Sequence, residues 1–218
     1  MKAKNFWDSE TAGQDPFDLS RRIATGIAHC ADSGAPQRSI RYLWVFVTEE
    51  NARLASAPSA GRALTVDEWL NVIDESAALG AEWLVIHAGT SISACPNVWR
   101  MCEWAQTAHG MRVGIHLCGC SLSNDDVEQL KRLDSASTYV VADDCDLGAL
   151  GYLAQAGVQI CSANIREEDR VSNCAMPHDM TCVGIDGTLN TCGLVHGDQS
   201  YRLGTILERG LGTVISDA

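Results

Sequence analysis

The chain has 218 residues, of which 46% are hydrophobic, and a formal net charge of −12. That composition supplies one core, or one core with a small appendage, and excludes a disordered chain. The acidic balance argues against a nucleic-acid surface, and the longest apolar run, Tyr42 to Val47, is too short for a membrane span. Ten cysteines occur, and the first residues, Met1-Lys-Ala-Lys-Asn-Phe-Trp-Asp8, lack the apolar stretch of a signal peptide. A reducing cytoplasm is the expected compartment, where metal or redox roles for cysteine outrank disulfides. The negative charge suits docking to a basic protein partner, or solubility alone.

In chain order, residues 1–40 read as an N-terminal extension with one helix from Asp18 to Cys30, ended by Asp32-Ser-Gly-Ala-Pro36. Tyr42 to Val47 is aromatic and β-branched, the pattern of a buried strand. Thr65 to Gly80 is an amphipathic helix with a Thr65/Glu68 capping box and a terminal glycine. A strand (Glu82 to Ile86), a helix (Asn97 to His109, closed by Gly110) and a strand (Arg112 to Leu117) come next. A helix from Ser123 to Leu133, with Asp126 completing a second box, precedes a strand from Thr138 to Ala142. Leu147 to Gln155 is a short helix and Val158 to Ser162 a fifth strand. This alternation predicts an α/β fold with parallel strands and right-handed crossovers. Without a glycine-rich dinucleotide fingerprint, a partial (β/α) barrel is favoured over a Rossmann sheet.

Ligands in parallel α/β folds gather beyond the carboxyl ends of the strands. Those ends read Thr48-Glu-Glu, His87-Ala-Gly-Thr, His116-Leu-Cys118-Gly-Cys120, Asp143-Asp-Cys145 and Cys161-Ser-Ala-Asn164. His87, His116, Cys118, Cys120 and Cys145 are candidates for a metal or acid/base site of an enzyme at the barrel mouth. A neutral, hydrogen-bonded core state is favoured over that role for either histidine. Asp143 and Asp144 suit a helix N-terminus better than a proton-transfer dyad.

The C-terminal part, residues 171–218, carries Cys174, Cys182 and Cys192 at C-x7-C-x9-C spacing. Between the last two lies Ile185-Asp-Gly-Thr-Leu189, a hairpin signal that would set Cys182 and Cys192 side by side, with Cys174 arriving from the preceding loop. Three converging thiolates are a soft-metal site for an iron–sulfur cluster or zinc, with His178 or His196 available to complete a zinc tetrahedron. This small cysteine-containing β-hairpin module would close one end of the barrel, whose part of the chain is 41–170.

Cys182 to Glu208 resembles the SPASM/twitch module that follows the barrel of many radical SAM enzymes: a cysteine, an Asp-Gly hairpin, a second cysteine and a Leu-Gly-Thr-Ile turn into a helix. The resemblance implies an auxiliary [4Fe–4S] cluster on Cys174, Cys182 and Cys192. Trp83 to Ile92 is similar to the second barrel strand of that family, whose Gly-Gly-Glu meets the amino group of S-adenosylmethionine. Ala88, Gly89 and Thr90 stand at the matching positions, without a carboxylate. After the first strand, where the family binds its catalytic cluster with C-x3-C-x2-C, this chain reads Glu49-Glu-Asn-Ala-Arg-Leu-Ala-Ser56, and no cysteine occurs between Cys30 and Cys95. Asn51 and Arg53 match the family's Cys-Asn-x-Arg-Cys pattern while the thiolates are gone.

The resemblance therefore implies a degenerate radical SAM-like protein that does not use S-adenosylmethionine. The expected function is a non-catalytic iron–sulfur subunit carrying one auxiliary-type [4Fe–4S] cluster for electron transfer or assembly within a redox complex of other protein subunits. Cys161, Cys145, Cys120 or a non-cysteine group would be the fourth ligand. The alternatives are the mouth enzyme described above, or a structural adaptor with zinc or no metal.

Overall fold

The structure, a computed structural model, describes residues 40–48, 61–89, 92, 95, 97–117, 122–142, 150–155, 157–162, 180–190 and 202–216. The helix expected between Asp18 and Cys30 lies outside these residues. Among the described residues, eight strands form one open sheet: β1 (Tyr42–Phe46), β2 (Trp83–His87), β3 (Arg112–Leu117), β4 (Thr138–Ala142), β5 (Gln159–Ser162), β6 (Met180–Val183), β7 (Thr188–Asn190) and β8 (Arg202–Thr205). Their order is β5-β4-β3-β2-β1-β6-β7-β8. Strands β1 to β5 pair in parallel, β6 joins the other side of β1 in parallel, and β7 and β8 return antiparallel. The α/β expectation and the partial, unclosed barrel are both met.

The helices form because their apolar residues recur on one face and their ends are capped. In α1 (Val66–Ala78) the buried residues are Trp69, Val72, Ile73 and Ser76, a single stripe. Thr65 and Glu68 make the expected reciprocal capping box. In α2 (Val98–His109) the stripe is Val98, Met101, Cys102 and Ala105, and Gly110 ends the helix in the left-handed region at φ 64°. Helix α3 (Asn124–Leu130) starts at the Ser123/Asp126 box but stops three residues before the expected Leu133. Side-chain-to-backbone bonds around Asp134 compete with the helix there: Asp134 Oδ1 accepts from Ala136 N–H at 3.0 Å, and Thr138 Oγ1 donates to the Asp134 carbonyl at 2.7 Å. Three short helices complete the set described: α4 (Gly151–Gln155), α5 (Ile206–Arg209) and α6 (Leu211–Ser216).

Alternation along the strands divides the sheet into two chemistries. Leu43, Val45, Leu84, Ile86, Val113 and Ile115 belong to the aliphatic core that packs under the helices. The opposite face carries Tyr42, Trp44 and Phe46 on β1, Trp83 and His87 on β2, His116 on β3, and Cys182 on β6. All of these are buried.

The C-terminal hairpin differs from its sequence expectation in register. Cys182 stands opposite Asn190, and Val183 opposite Leu189. Gly187 N–H donates to the Gly184 carbonyl, Gly184 N–H to the Thr188 carbonyl, and Gly187 has φ 80°. This is a three-residue loop, a tight turn followed by a left-handed glycine, rather than a two-residue Asp-Gly turn. The shift makes Asn190, not Cys192, the direct cross-strand partner of Cys182.

Candidate functional site at the strand ends

The register lines up one row of residues at the carboxyl ends of the parallel strands. Phe46 pairs with His87, His87 with His116, His116 with Val141, and Val141 with Cys161. His87 and His116 are 3% and 5% exposed, so both imidazoles are inside the protein. Their Nδ1 atoms lie 2.9 Å apart, at hydrogen-bonding distance. In a neutral pair, one ring is the Nδ1–H tautomer and donates to the other, which keeps its proton on Nε2. The walls are aromatic: the Phe46 ring centroid is 4.7 Å from His87, and Trp44 stands edge-on to His116 at 6.2 Å. Backbone bonds fix both strands here, since Val47 N–H donates to the His87 carbonyl and Ala88 N–H to that of His116.

Below this row the same face is filled. Trp83 packs on Tyr139 at 5.2 Å and on Tyr42 at 6.5 Å, with the Arg112 guanidinium 5.3 Å from its ring centre. A ligand on this face therefore meets the histidine row and not the deeper rows. Cys182 stands beside Trp44 in the β1–β6 register, and the Trp44 ring lies edge-on to His116. The alternation Tyr42-Trp44-Phe46 was the sequence signal for this aromatic face, but its neighbours depend on register.

The predicted site residues are thus brought together in part. His87 and His116 meet directly. Cys161 occupies its row position on β5, while Cys118, Cys120 and Cys145 lie outside the described residues. Cys182 is completely buried on β6, and Cys174, Cys192, His178 and His196 lie outside the described residues. Among the described residues, no three His, Cys, Asp or Glu side chains gather as a metal site. Ala88 is buried and Gly89 takes a left-handed φ of 64°, but Thr90 is outside the described residues. Two further cysteines belong to packing: Cys95 donates to the Val47 carbonyl at 3.3 Å, and burial of Cys102 raises its thiol far above the usual range, which keeps it protonated.

No protein-family model matches this sequence, and no curated protein matches it. Solved structures do match. BtrN in complex with AdoMet and 2-DOIA superposes with a TM-score of 0.61 at 15% identity, over 81% of this chain and 82% of BtrN. SuiB from Streptococcus suis bound to S-adenosylmethionine gives 0.57 at 9% identity, over 83% of this chain and 64% of SuiB. SuiB bound to the precursor peptide SuiA gives 0.60 at 8% identity, over 83% and 65%.

The chain shares the fold of BtrN and SuiB. At such identities the likeness carries the architecture and no residue's role. Among the described residues, no helix is long and apolar enough to cross a membrane.

Proposed function

We propose that this radical SAM-like chain is a non-catalytic iron–sulfur subunit of a redox complex, holding one [4Fe–4S] cluster on Cys174, Cys182 and Cys192. The observation that supports the reading is the position of Cys182, which is completely buried on β6, directly beside β1 and on the aromatic face. A thiol shielded from water by an apolar shell is a suitable iron–sulfur ligand, and three thiols are the soft donor set such a cluster requires. The fit is one of donor chemistry, because the other two cysteines lie outside the described residues. When bound, the cluster supplies one-electron transfer. The chain's own part is to exclude water, with Trp44 covering the strand position next to Cys182.

S-Adenosylmethionine cleavage is no part of this function. The segment Glu49 to Ser56 offers no thiolate where the cluster that performs it would sit. In this reading residues 41–170 are the barrel scaffold, 171–218 the cluster module and 1–40 an extension. The partners are other protein subunits in the cytoplasm, and the net charge of −12 suits a basic contact surface.

Anaerobic purification tests the reading. About four irons per chain with broad visible absorbance are expected, falling when Cys174, Cys182 or Cys192 is replaced by serine. Serine at Cys161, Cys145 or Cys120 then identifies a fourth thiolate by loss of cluster stability. A colourless chain with one zinc replaces the cluster by a structural zinc site. Reductive cleavage of added S-adenosylmethionine would overturn the non-catalytic role.

A further inference from the structure

We infer that Asn190 is a positioning residue for the cluster: its carboxamide donates an N–H to the Cys182 sulfur and so holds the cluster at a higher reduction potential. The inference rests on the cluster reading of Cys182 proposed above. Register comes first. Cys182 on β6 stands directly opposite Asn190 on β7. Residues opposed across an antiparallel pair point to the same face, with Cβ atoms about 4.5–5.5 Å apart. A carboxamide N–H spans that gap to a thiolate sulfur.

The neighbouring residues fix the face independently. Val183 and Leu189, the next pair toward the turn, both belong to the aliphatic core under the helices, so Cys182 and Asn190 point away from it. Across β6, Cys182 stands beside Trp44 while Val183 stands beside Val45 of that same aliphatic core. Trp44, Cys182 and Asn190 are therefore successive members of one row. Asn190 is 1% exposed and is the one buried carboxamide among the described residues. An amide in an apolar wall costs free energy unless its polar atoms are used. Two N–H donors and one oxygen let it serve the sulfur and still meet other partners. A hydrogen bond to a ligating sulfur favours the more negative, reduced cluster, and does so more strongly in a dry shell than in water. Being neutral, the carboxamide achieves this without burying a charge.

The test is a redox titration of the anaerobically purified full chain, followed by its visible absorbance, with iron content measured alongside. Asn190→Leu and Asn190→Ala differ in volume but both lack the donor. Each is expected to keep its iron and to become about tenfold harder to reduce, a downward shift of about 59 mV for one electron. Thr181→Val is the packing control: it removes the 3.4 Å hydrogen bond from Thr181 Oγ1 to the Asn190 carbonyl and is expected to leave the potential in place. A wild-type potential in either iron-loaded Asn190 variant overturns the inference and leaves the cluster reading standing, as does an equal shift in Thr181→Val. Iron lost from both folded Asn190 variants makes the residue one that holds the cluster, not one that tunes it, and overturns the inference too. A wild type without iron removes the cluster reading and this inference together. If one Asn190 variant fails to fold, the other decides the matter.

Discussion

Single residues hold the C-terminal part to the sheet. Gly187 sits at φ 80°, and a Cβ there would lie 3.0 Å from Ile206 and 3.2 Å from Leu64. Gly187→Ala thus combines a left-handed backbone penalty with overpacking, and is expected to destabilise the protein by about 2–4 kcal/mol. Chemical denaturation measures it; a loss under about 1 kcal/mol would show that the loop simply re-forms. Glu75 of α1 receives the Leu211 and Gly212 N–H groups at 2.6 and 3.3 Å, so a charged side chain caps α6. Glu75→Ala is expected to cost about 1–3 kcal/mol and to raise amide exchange in α6 before it does so in α1. Equal exchange in both helices would contradict a local clamp.

At the scale of elements, the N-terminus of α1 carries a pH dependence. The Arg62 guanidinium and the Thr65 backbone N–H donate to the Glu68 carboxylate at 2.7 and 2.8 Å, and together they hold its pKa down to about 2. The folded value lies below the ~4.3 of an unfolded glutamate. Its contribution is therefore complete above that unfolded value and is lost as pH falls through about 2. The stability difference between wild type and Glu68→Gln is expected to shrink between about pH 5 and pH 2, and a constant difference would count against the assignment. This helix was legible in the sequence because its signals are local: Thr65 and Glu68 three residues apart, and an apolar stripe at helical spacing. The hairpin was legible only in kind. Asp186-Gly187 announces a turn, yet the same dipeptide serves two-residue and three-residue loops, and the choice decides whether Cys182 faces Asn190. The histidine pair was less legible still. His87 and His116 were visible as strand-end residues, but their meeting depends on the β2–β3 register, which no local pattern encodes.

For the molecule as a whole, the decisive fact is that β1 is interior. It pairs with β2 on one side and β6 on the other, so the cysteine hairpin continues the barrel sheet. Sequence order suggested a terminal appendage, because the alternation of strands and helices says nothing about which edge a later strand joins. A chain cut at residue 171 is expected to lose β6, β7 and β8 and to expose one full edge of Tyr42–Phe46. Aggregation or loss of cooperative unfolding is the expected result, measured by gel filtration and thermal melting. A soluble, monomeric, cooperatively melting fragment would show that the barrel part stands alone.

The interior place of β1 has a consequence for synthesis. Translation at roughly 5–20 residues per second separates the appearance of Phe46 from that of Met180 by on the order of ten seconds. Once β2 is made it can bond one side of β1, while the other side awaits a partner not yet made. The nascent chain thus presents Tyr-Leu-Trp-Val-Phe, five buried residues of the finished fold, as an unfinished edge. That edge is where a ribosome-associated holding chaperone is expected to bind until Met180–Val183 arrives to cover it.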